Sequence, residues 1–338
     1  MDIRQAIARV VDGGGLSEAE MESVVLELMD GKGTPAQIGG LLVALRAKGE
    51  TIDEITGAVR AMRANAVTIR PHADVIVDTC GTGGDAADTF NVSTAAALIA
   101  AGAGVTVAKH GNRAMSGRVG GADVLEALGV KVDVPAGIVA GCVDQIGIGF
   151  LFAQMFHPAM KHVAAPRREL GVRTIFNLLG PLSNPAGARR QVIGVFDAKW
   201  TEPLAQALAR LGSEHALVVH GSDGVDEISL SAPTVVSELR YGEVRSYQVT
   251  PEQFGLRGCR LVDLKGGDAK EAAEHVRAVI AGSGDMPRTD IAVLNAAAAI
   301  YVGGKADSIA AGIEKARESI QSGNAARKLA GLVELTNR

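Results

Sequence analysis

The sequence predicts an α/β protein in which a small all-helical N-terminal domain packs on a larger α/β domain with a central, mostly parallel sheet. Three observations carry this. Residues 1–70 show apolar positions at helical spacing and no strand pattern. From Val75 onward, short β-branched runs alternate with helical stretches, the pattern of parallel strands joined by crossover helices. The first of those runs ends in a glycine cluster and the next in a knot of charge, the places where such sheets hold ligands.

The elements follow in chain order. Met21–Met29, Ile38–Leu45 and Ile55–Met62 read as amphipathic helices. Ser17, Thr34 and Thr51 stand where N-caps belong, with Pro35 at a first helical position and Gly31 and Gly49 ending runs. The pattern changes at Arg70-Pro71-His72, which puts the helical domain at 1–70 and the α/β domain at 71–338. Strands are expected at Val75–Val77, Val105–Ala108, Gly149–Phe152, Gln191–Phe196 and Ala216–His220. Helices are expected at Thr94–Ala101, Ala122–Leu128 and from Pro135. Pro158–Leu179 reads as helical and interrupts the alternation, so helices from about 158–180 are candidates to join the N-terminal domain. Two β-rich runs between Val235 and Val249 flank Tyr241-Gly242 as an antiparallel hairpin, and the chain is helical again from Ala269.

The bulk properties exclude several classes. With 338 residues, 47% of them hydrophobic and 21% charged, the chain has ample core and is not disordered. Aromatics at 3% leave few platforms for stacking bases, and a net charge of −4 supplies no field for nucleic acid or an acidic membrane. The apolar stretch Ile291–Val302, interrupted by Asn295, is too short to span a bilayer and reads as a core helix. Cys80, Cys142 and Cys259 are odd in number and lack metal-knuckle spacing, and the N-terminus has no signal-peptide pattern, so a reducing cytoplasm is expected.

Four segments carry chemistry. In Asp78-Thr-Cys-Gly-Thr-Gly-Gly-Asp85, Gly81, Gly83 and Gly84 remove side chains so that backbone amides can approach a phosphate. The helix beginning at Asn91-Val-Ser-Thr94 aims its positive end at the same place, with Asn91, Ser93 and Thr94 free to cap it or to meet phosphate or metal. The spacing matches neither a dinucleotide nor a Walker loop. Lys109-His-Gly-Asn-Arg113 ends the next strand. Lys109 and Arg113 suit phosphate, and His110 suits orienting an acceptor or moving a proton. Asp223-Gly-Val-Asp-Glu227 follows a later strand; its carboxylates suit magnesium, though alone they read more readily as an acidic turn. Arg167 offers a carboxylate-matching fork, or merely an exposed helix face beside Glu169. His157, before Pro158, reads as a helix cap, and His162 is wrongly spaced to pair with it on a metal.

Together these segments resemble the anthranilate phosphoribosyltransferase family. The matching pieces are GTGGD at 81–85, NVST at 91–94, KHGNR at 109–113, ADVLEALGV at 122–130, HPAMK at 157–161, GVRTIFNLLGPLSNPAG at 171–187 and DGVDE at 223–227. The long run at 171–187 separates the chain from pyrimidine nucleoside phosphorylases, which share the architecture and a glycine loop. The resemblance implies transfer of the phosphoribosyl group of phosphoribosyl pyrophosphate (PRPP) to anthranilate, an active site in the interdomain cleft, Mg2+ as cofactor, and a homodimer. It implies donor contacts from Gly81, Gly84, Asp85, Thr89, Asn91, Val92, Ser93 and Thr94. Lys109, His110, Gly111, Asn112, Arg113, Ser116, Gly117 and Gly121 would complete the donor site, with Lys109 and His110 nearest the chemistry. Anthranilate would meet Gly81, His110, Asn112, Arg167, Gly180 and Pro181, and the metal Ser93, Asp226 and Glu227. One stretch departs from the family: Met115-Ser-Gly-Arg-Val-Gly-Gly121 keeps only Ser116 where relatives carry several serines, and its Ser-Gly-Arg piece looks like the phosphorylases. A phosphorylase and a non-enzymatic nucleic-acid-binding relative are the alternatives.

Overall fold

The computed structural model describes residues 1–83, 88–114 and 119–338. The chain opens with helices α1 (Ile3–Val11), α2 (Glu18–Met29), α3 (Pro35–Lys48) and α4 (Ile52–Ala64). Each begins at a reciprocal capping box: Asp2 with Gln5, Ser17 with Glu20, Thr34 with Gln37 and Thr51 with Glu54. Each box satisfies two otherwise orphaned N–H groups and is worth about 1 kcal/mol. Asp2 adds a cap to the three that the sequence predicts.

The rest of the chain alternates. β1 (Val77–Gly81) leads to α5 (Val92–Gly102), β2 (Val107–Gly111), α6 (Gly121–Ala127), α7 (Ala136–Ile146) and β3 (Ile148–Phe152). A short α8 (Ala153–Phe156), α9 (Lys161–Leu170) and α10 (Phe176–Leu182) intervene before β4 (Arg190–Gly194), α11 (Thr201–Arg210) and β5 (His215–Gly221). The hairpin is β6 (Thr234–Arg240) and β7 (Glu243–Val249), and the chain ends in α12 (Ala269–Ile280), α13 (Met286–Val302), α14 (Ile309–Gln321) and α15 (Asn324–Thr336).

The strands form one sheet in the order β3-β2-β1-β4-β5-β6-β7. From β3 to β5 the neighbours are parallel; β6 and β7 add antiparallel to that edge. The chain builds outward from β1 to β3, then returns to lay β4 on the other side of β1. A crevice therefore opens between the carboxyl ends of β1 and β4.

Alternation along the strands sends side chains to cores on the sheet's two faces, with a smaller third cluster of Ala108, Leu151, Val139 and Val143 at the β2–β3 end. Val192, Leu217 and Val219 join a core with α5 and α12–α15, while Ile193, Ala216 and Val218 join a second core with α1–α4 and α11. Val163 of α9 and Phe176, Leu178 and Leu179 of α10 lie in that second core, beside Leu28, Leu41 and Leu45.

Strand bounds differ from expectation: β4 ends at Gly194, short of Phe196, while β1 and β2 run further at their carboxyl ends. β1 starts at Val77, not Val75, and runs through Asp78-Thr-Cys-Gly81; β2 runs through Lys109-His-Gly111. Asp, Lys and Gly are poor strand formers, but β1 is paired on both sides, and ladder hydrogen bonds override local propensity. Asp78–Gly81 and Lys109–Gly111 thus sit on strands, while Gly83, Asn112, Asp226 and Glu227 lie in the loops beyond strand ends.

Candidate active site

Adjacent strand residues face opposite ways, and this places Lys109 and His110 on the two faces of the sheet. Lys109 points toward α5. Its buried ammonium donates to the Thr79 carbonyl and, at 3.0 Å, to Ser93 Oγ. Burial lowers its pKa, opposed by the charges of Asp78, Cys80, Glu227 and Asp226. His110 points toward α10 and meets the Gly180 carbonyl through Nδ1 at 3.1 Å. A carbonyl only accepts, so Nδ1 carries the proton and Nε2 is left as a buried acceptor without a partner among the described residues. Burial, then the nearby His157, depresses the His110 pKa to about 3. The ring is neutral near pH 7, so of its two expected uses this environment favours orienting an acceptor over carrying a proton.

The glycine loop meets the acidic loop at the crevice. Gly81 and Gly194 end β1 and β4 as direct partners, and a Cβ on either would overlap Asp226. The Gly83 N–H donates to Asp226 Oδ2 at 2.9 Å, and Gly83 has a positive φ of 64°. Glu227 lines a small cavity with Thr79, Ser93 and Asn295. Asp223 does something else. It accepts from the hydroxyls of Ser229 and Ser231 and so closes the turn. Two carboxylates and a hydroxyl beside a buried ammonium suit Mg2+, which binds through one or two carboxylates and completes its shell with water and phosphate oxygens. No cluster of three or more His, Cys, Asp or Glu among the described residues could hold an ion unaided.

Around α5, Asn91 sits at the N-cap with φ 66° and makes no side-chain cap bond, contrary to the expected capping role. Its Oδ1 instead takes the Thr94 hydroxyl, so the Asn91 side chain leaves the N–H groups of the helix start to another acceptor, such as an anion. Val92 is fully buried and has only its backbone to offer. Thr89 bridges to Lys265 at the far side of the loop. Gly121 lies beside Thr94, Lys109 and Asn91, within 4 Å of each for a notional Cβ. Gly111 packs on Phe150, and Asn112 accepts the Arg113 N–H at 2.8 Å. The Arg113 guanidinium is engaged by Glu126 of α6 and lies 5.3 Å from the Phe152 ring. The N–H groups of Ala114 and Gly120 both bond to Asp123 Oδ2, at 3.1 and 2.8 Å. Residues Gly84, Asp85, Ser116 and Gly117 lie outside the described residues.

On the α10 side, the Pro181 carbonyl accepts from Gln191 Nε2 at 2.7 Å, which fixes the Gly180-Pro181 end of α10 to β4. Arg167 lies 5.2 Å from the ring of Phe176, at the other end of α10. Burial lowers its pKa to about 10. A partly desolvated guanidinium beside an aromatic ring is suited to a carboxylate.

Three residues here go beyond the expected set. Asp78 is fully buried and accepts from the His110 N–H at 3.0 Å and from Asn184 at 2.8 Å. Asn184 also donates to the Ala108 carbonyl at 2.8 Å, tying the segment after α10 to β1 and β2. His157 holds the N-cap position of the short helix Pro158–Met160, as expected, but makes no side-chain cap bond; its buried ring instead lies 5.1 Å from that of His110. The only sequence signal for Asp78 and Asn184 is their place inside recognisable motifs.

Comparison with known proteins places the whole chain beside one family. Residues 4–66 match the model described as glycosyl transferase family, helical bundle domain, and residues 73–326 match glycosyl transferase family, a/b domain. The anthranilate phosphoribosyltransferase of Thioalkalivibrio sulfidiphilus is 54% identical over 99% of both chains. The crystal structure of the Thermus thermophilus enzyme superposes with a TM-score of 0.94 at 46% identity, covering 98% of this chain and 99% of that one. The Saccharomyces cerevisiae enzyme in complex with PRPP and Mg gives 0.90 at 28% identity, covering 99% and 98%. In complex with 4-fluoroanthranilate it gives 0.89 at 28%, covering 99% and 97%.

Proposed function

We infer the reaction from the premise that the chain belongs to the anthranilate phosphoribosyltransferase family, with relatives more than half identical along its whole length. It transfers the phosphoribosyl group of PRPP to the amine of anthranilate, giving N-(5-phosphoribosyl)anthranilate and pyrophosphate, in tryptophan biosynthesis. The observation that carries the site assignment is the split of Lys109 and His110 to opposite faces of β2, one toward the glycine and acidic loops, the other toward Gly180.

On the first face, Lys109 and the start of α5 bind the donor's phosphates, with Asn91, Ser93, Thr94 and Gly121 around them, while the Gly83 N–H holds Asp226. Gly84, Asp85, Ser116 and Gly117 are assigned to the same donor site from the family motif alone. Ser93, Asp226 and Glu227 hold Mg2+, which when bound neutralises charge on the departing pyrophosphate. On the second face, Arg167 pairs with the anthranilate carboxylate, and Gly180 and Pro181 wall the pocket. His110 Nε2 accepts a hydrogen bond from the amine. An aromatic amine is neutral at pH 7, so attack on an oxocarbenium-like ribosyl C1 needs no strong base. The chain's main contribution is position and a fixed electrostatic field.

A helical domain of residues 1–70 joined by 158–180, an interdomain active site, a homodimer formed through the helical bundle and a cytoplasmic location belong to the same proposal. The shared core of α1–α4 with α9 and α10 supports the first, exposed Val11 and Val43 on the bundle the third, and three free cysteines the last. No described helix is long and apolar enough to cross a membrane. The phosphorylase and nucleic-acid-binding alternatives draw no support from the relatives. The test is anthranilate fluorescence with PRPP, with and without Mg2+. Magnesium-dependent loss of anthranilate is expected. No loss from folded protein, together with phosphorolysis of thymidine or uridine, would replace this function with the phosphorylase one.

A further inference from the structure

We propose that Asn295 of α13 is a positioning residue that sets the direction of Glu227. It rests on the assignment of Asp226 and Glu227 to the metal. Residues 291–302 are wholly buried, and Asn295 is the one polar amide among Ile, Ala, Val and Leu side chains there, apart from Tyr301 near the end. A buried amide is costly unless its hydrogen bonds are made, and an aliphatic residue would fill a core helix more cheaply. The Asn295 amide makes three hydrogen bonds, and two of them go to one residue. Its Oδ1 accepts the Ile228 N–H at 2.9 Å, and its Nδ2 donates to the Ile228 carbonyl at 3.0 Å. The third, Nδ2 to the Ile291 carbonyl at 2.9 Å, keeps the side chain against its own helix. An inverted amide would set donor against donor and acceptor against acceptor, so only one orientation satisfies the set.

Ile228 directly follows Glu227. Clamping both its N–H and its C=O fixes the peptide through which the Glu227 backbone leaves the loop. Asn295 also borders the cavity that Glu227 shares with Ser93 and Thr79. The other end of the acidic loop is closed by Asp223 with Ser229 and Ser231. The loop is thus held at both ends by polar side chains, and the inner clamp is set on the longest buried helix. Partners of this kind orient metal ligands, and their loss typically weakens metal binding about 10- to 100-fold.

The experiment is Mn2+ binding in the presence of inorganic pyrophosphate, read by electron paramagnetic resonance without turnover. Asn295→Ala is expected to weaken Mn2+ about tenfold or more. Ile300→Ala, a core truncation on the same helix, is expected to destabilise the fold yet leave Mn2+ affinity unchanged. Asn295→Ser serves if the alanine variant does not fold, with a smaller loss expected. Wild-type affinity in the Asn295 variants overturns the role of Asn295, as does an equal loss in Ile300→Ala. A wild-type protein that binds no Mn2+ under these conditions overturns the metal assignment and, with it, this inference, so the two failures are told apart.

Discussion

His110 and His157 show how burial decides what a residue can do. Both rings are about 5–6% exposed and lie 5.1 Å apart, and neither Nε2 has a partner among the described residues. Burial holds His157 at about 4, below its ordinary 6.5, with a hydrogen bond to the Ser183 backbone acting the other way. Between those two values the unfolded chain binds a proton that the folded protein refuses. The contribution of neutral His157 to stability is therefore complete above pH 6.5 and is lost as the pH falls toward 4. Each such histidine adds a slope of about 1.4 kcal/mol per pH unit in that window. His157→Asn should flatten the pH dependence of the unfolding free energy by about that amount between about pH 6 and 5, measured by urea denaturation. An unchanged slope would mean that His157 already titrates normally in the folded protein. None of this is legible from His157-Pro158, where a local reading suggests a cap; its partner is 47 residues away in the chain.

Elements are more legible than the contacts between them. Helices α2–α4 follow from periodicity and capping residues because both signals are local, and the hairpin follows from Tyr241-Gly242 for the same reason. The strand bounds at β1 and β2 do not, because ladder pairing with distant strands extends them through charged and glycine residues. Gly194 likewise reads in the sequence as an ordinary strand residue. Its lack of a side chain matters only because the acidic loop crosses the end of β4, where a Cβ would overlap the Asp226 carbonyl. Asn295 is visible as an interruption in an apolar run, but its purpose needs the Ile228 contact. Gly194→Ala must push the Asp226 backbone away from β4 and from Gly81. A displacement of about 1 Å at a catalytic constellation costs on the order of a hundredfold. We therefore expect kcat/KM for PRPP to fall about hundredfold, while the variant stays folded by circular dichroism. Wild-type kinetics in Gly194→Ala would show that the acidic loop does not depend on this close approach.

At the scale of the molecule, segments far apart in sequence converge on the carboxyl end of α10 and the residues just after it. The sheet holds it through Asn184 to Asp78 and through Gln191 to the Pro181 carbonyl. The helical bundle holds it through Arg63 of α4, whose Nε donates to the Leu182 carbonyl at 2.9 Å and whose Nη1 reaches the Leu211 carbonyl at 3.4 Å. Burial lowers the Arg63 pKa, and these two carbonyls close α10 and α11, where a cation also complements the helix dipoles. Arg63 thus ties the bundle to the end of α10 that carries Gly180 and Pro181. Arg63→Met keeps most of the apolar stem but leaves both carbonyls without their charged donor. Hydrogen bonds to charged groups contribute roughly 1.5–3 kcal/mol, so unfolding free energy should fall by about 2 kcal/mol. Because the loosened helix end borders the proposed anthranilate pocket and not the phosphate site, KM for anthranilate should rise while KM for PRPP stays near wild type. Steady-state kinetics on both substrates checks this. Equal changes in the two would mean that Arg63 serves only general stability, and that the sheet alone positions the acceptor wall.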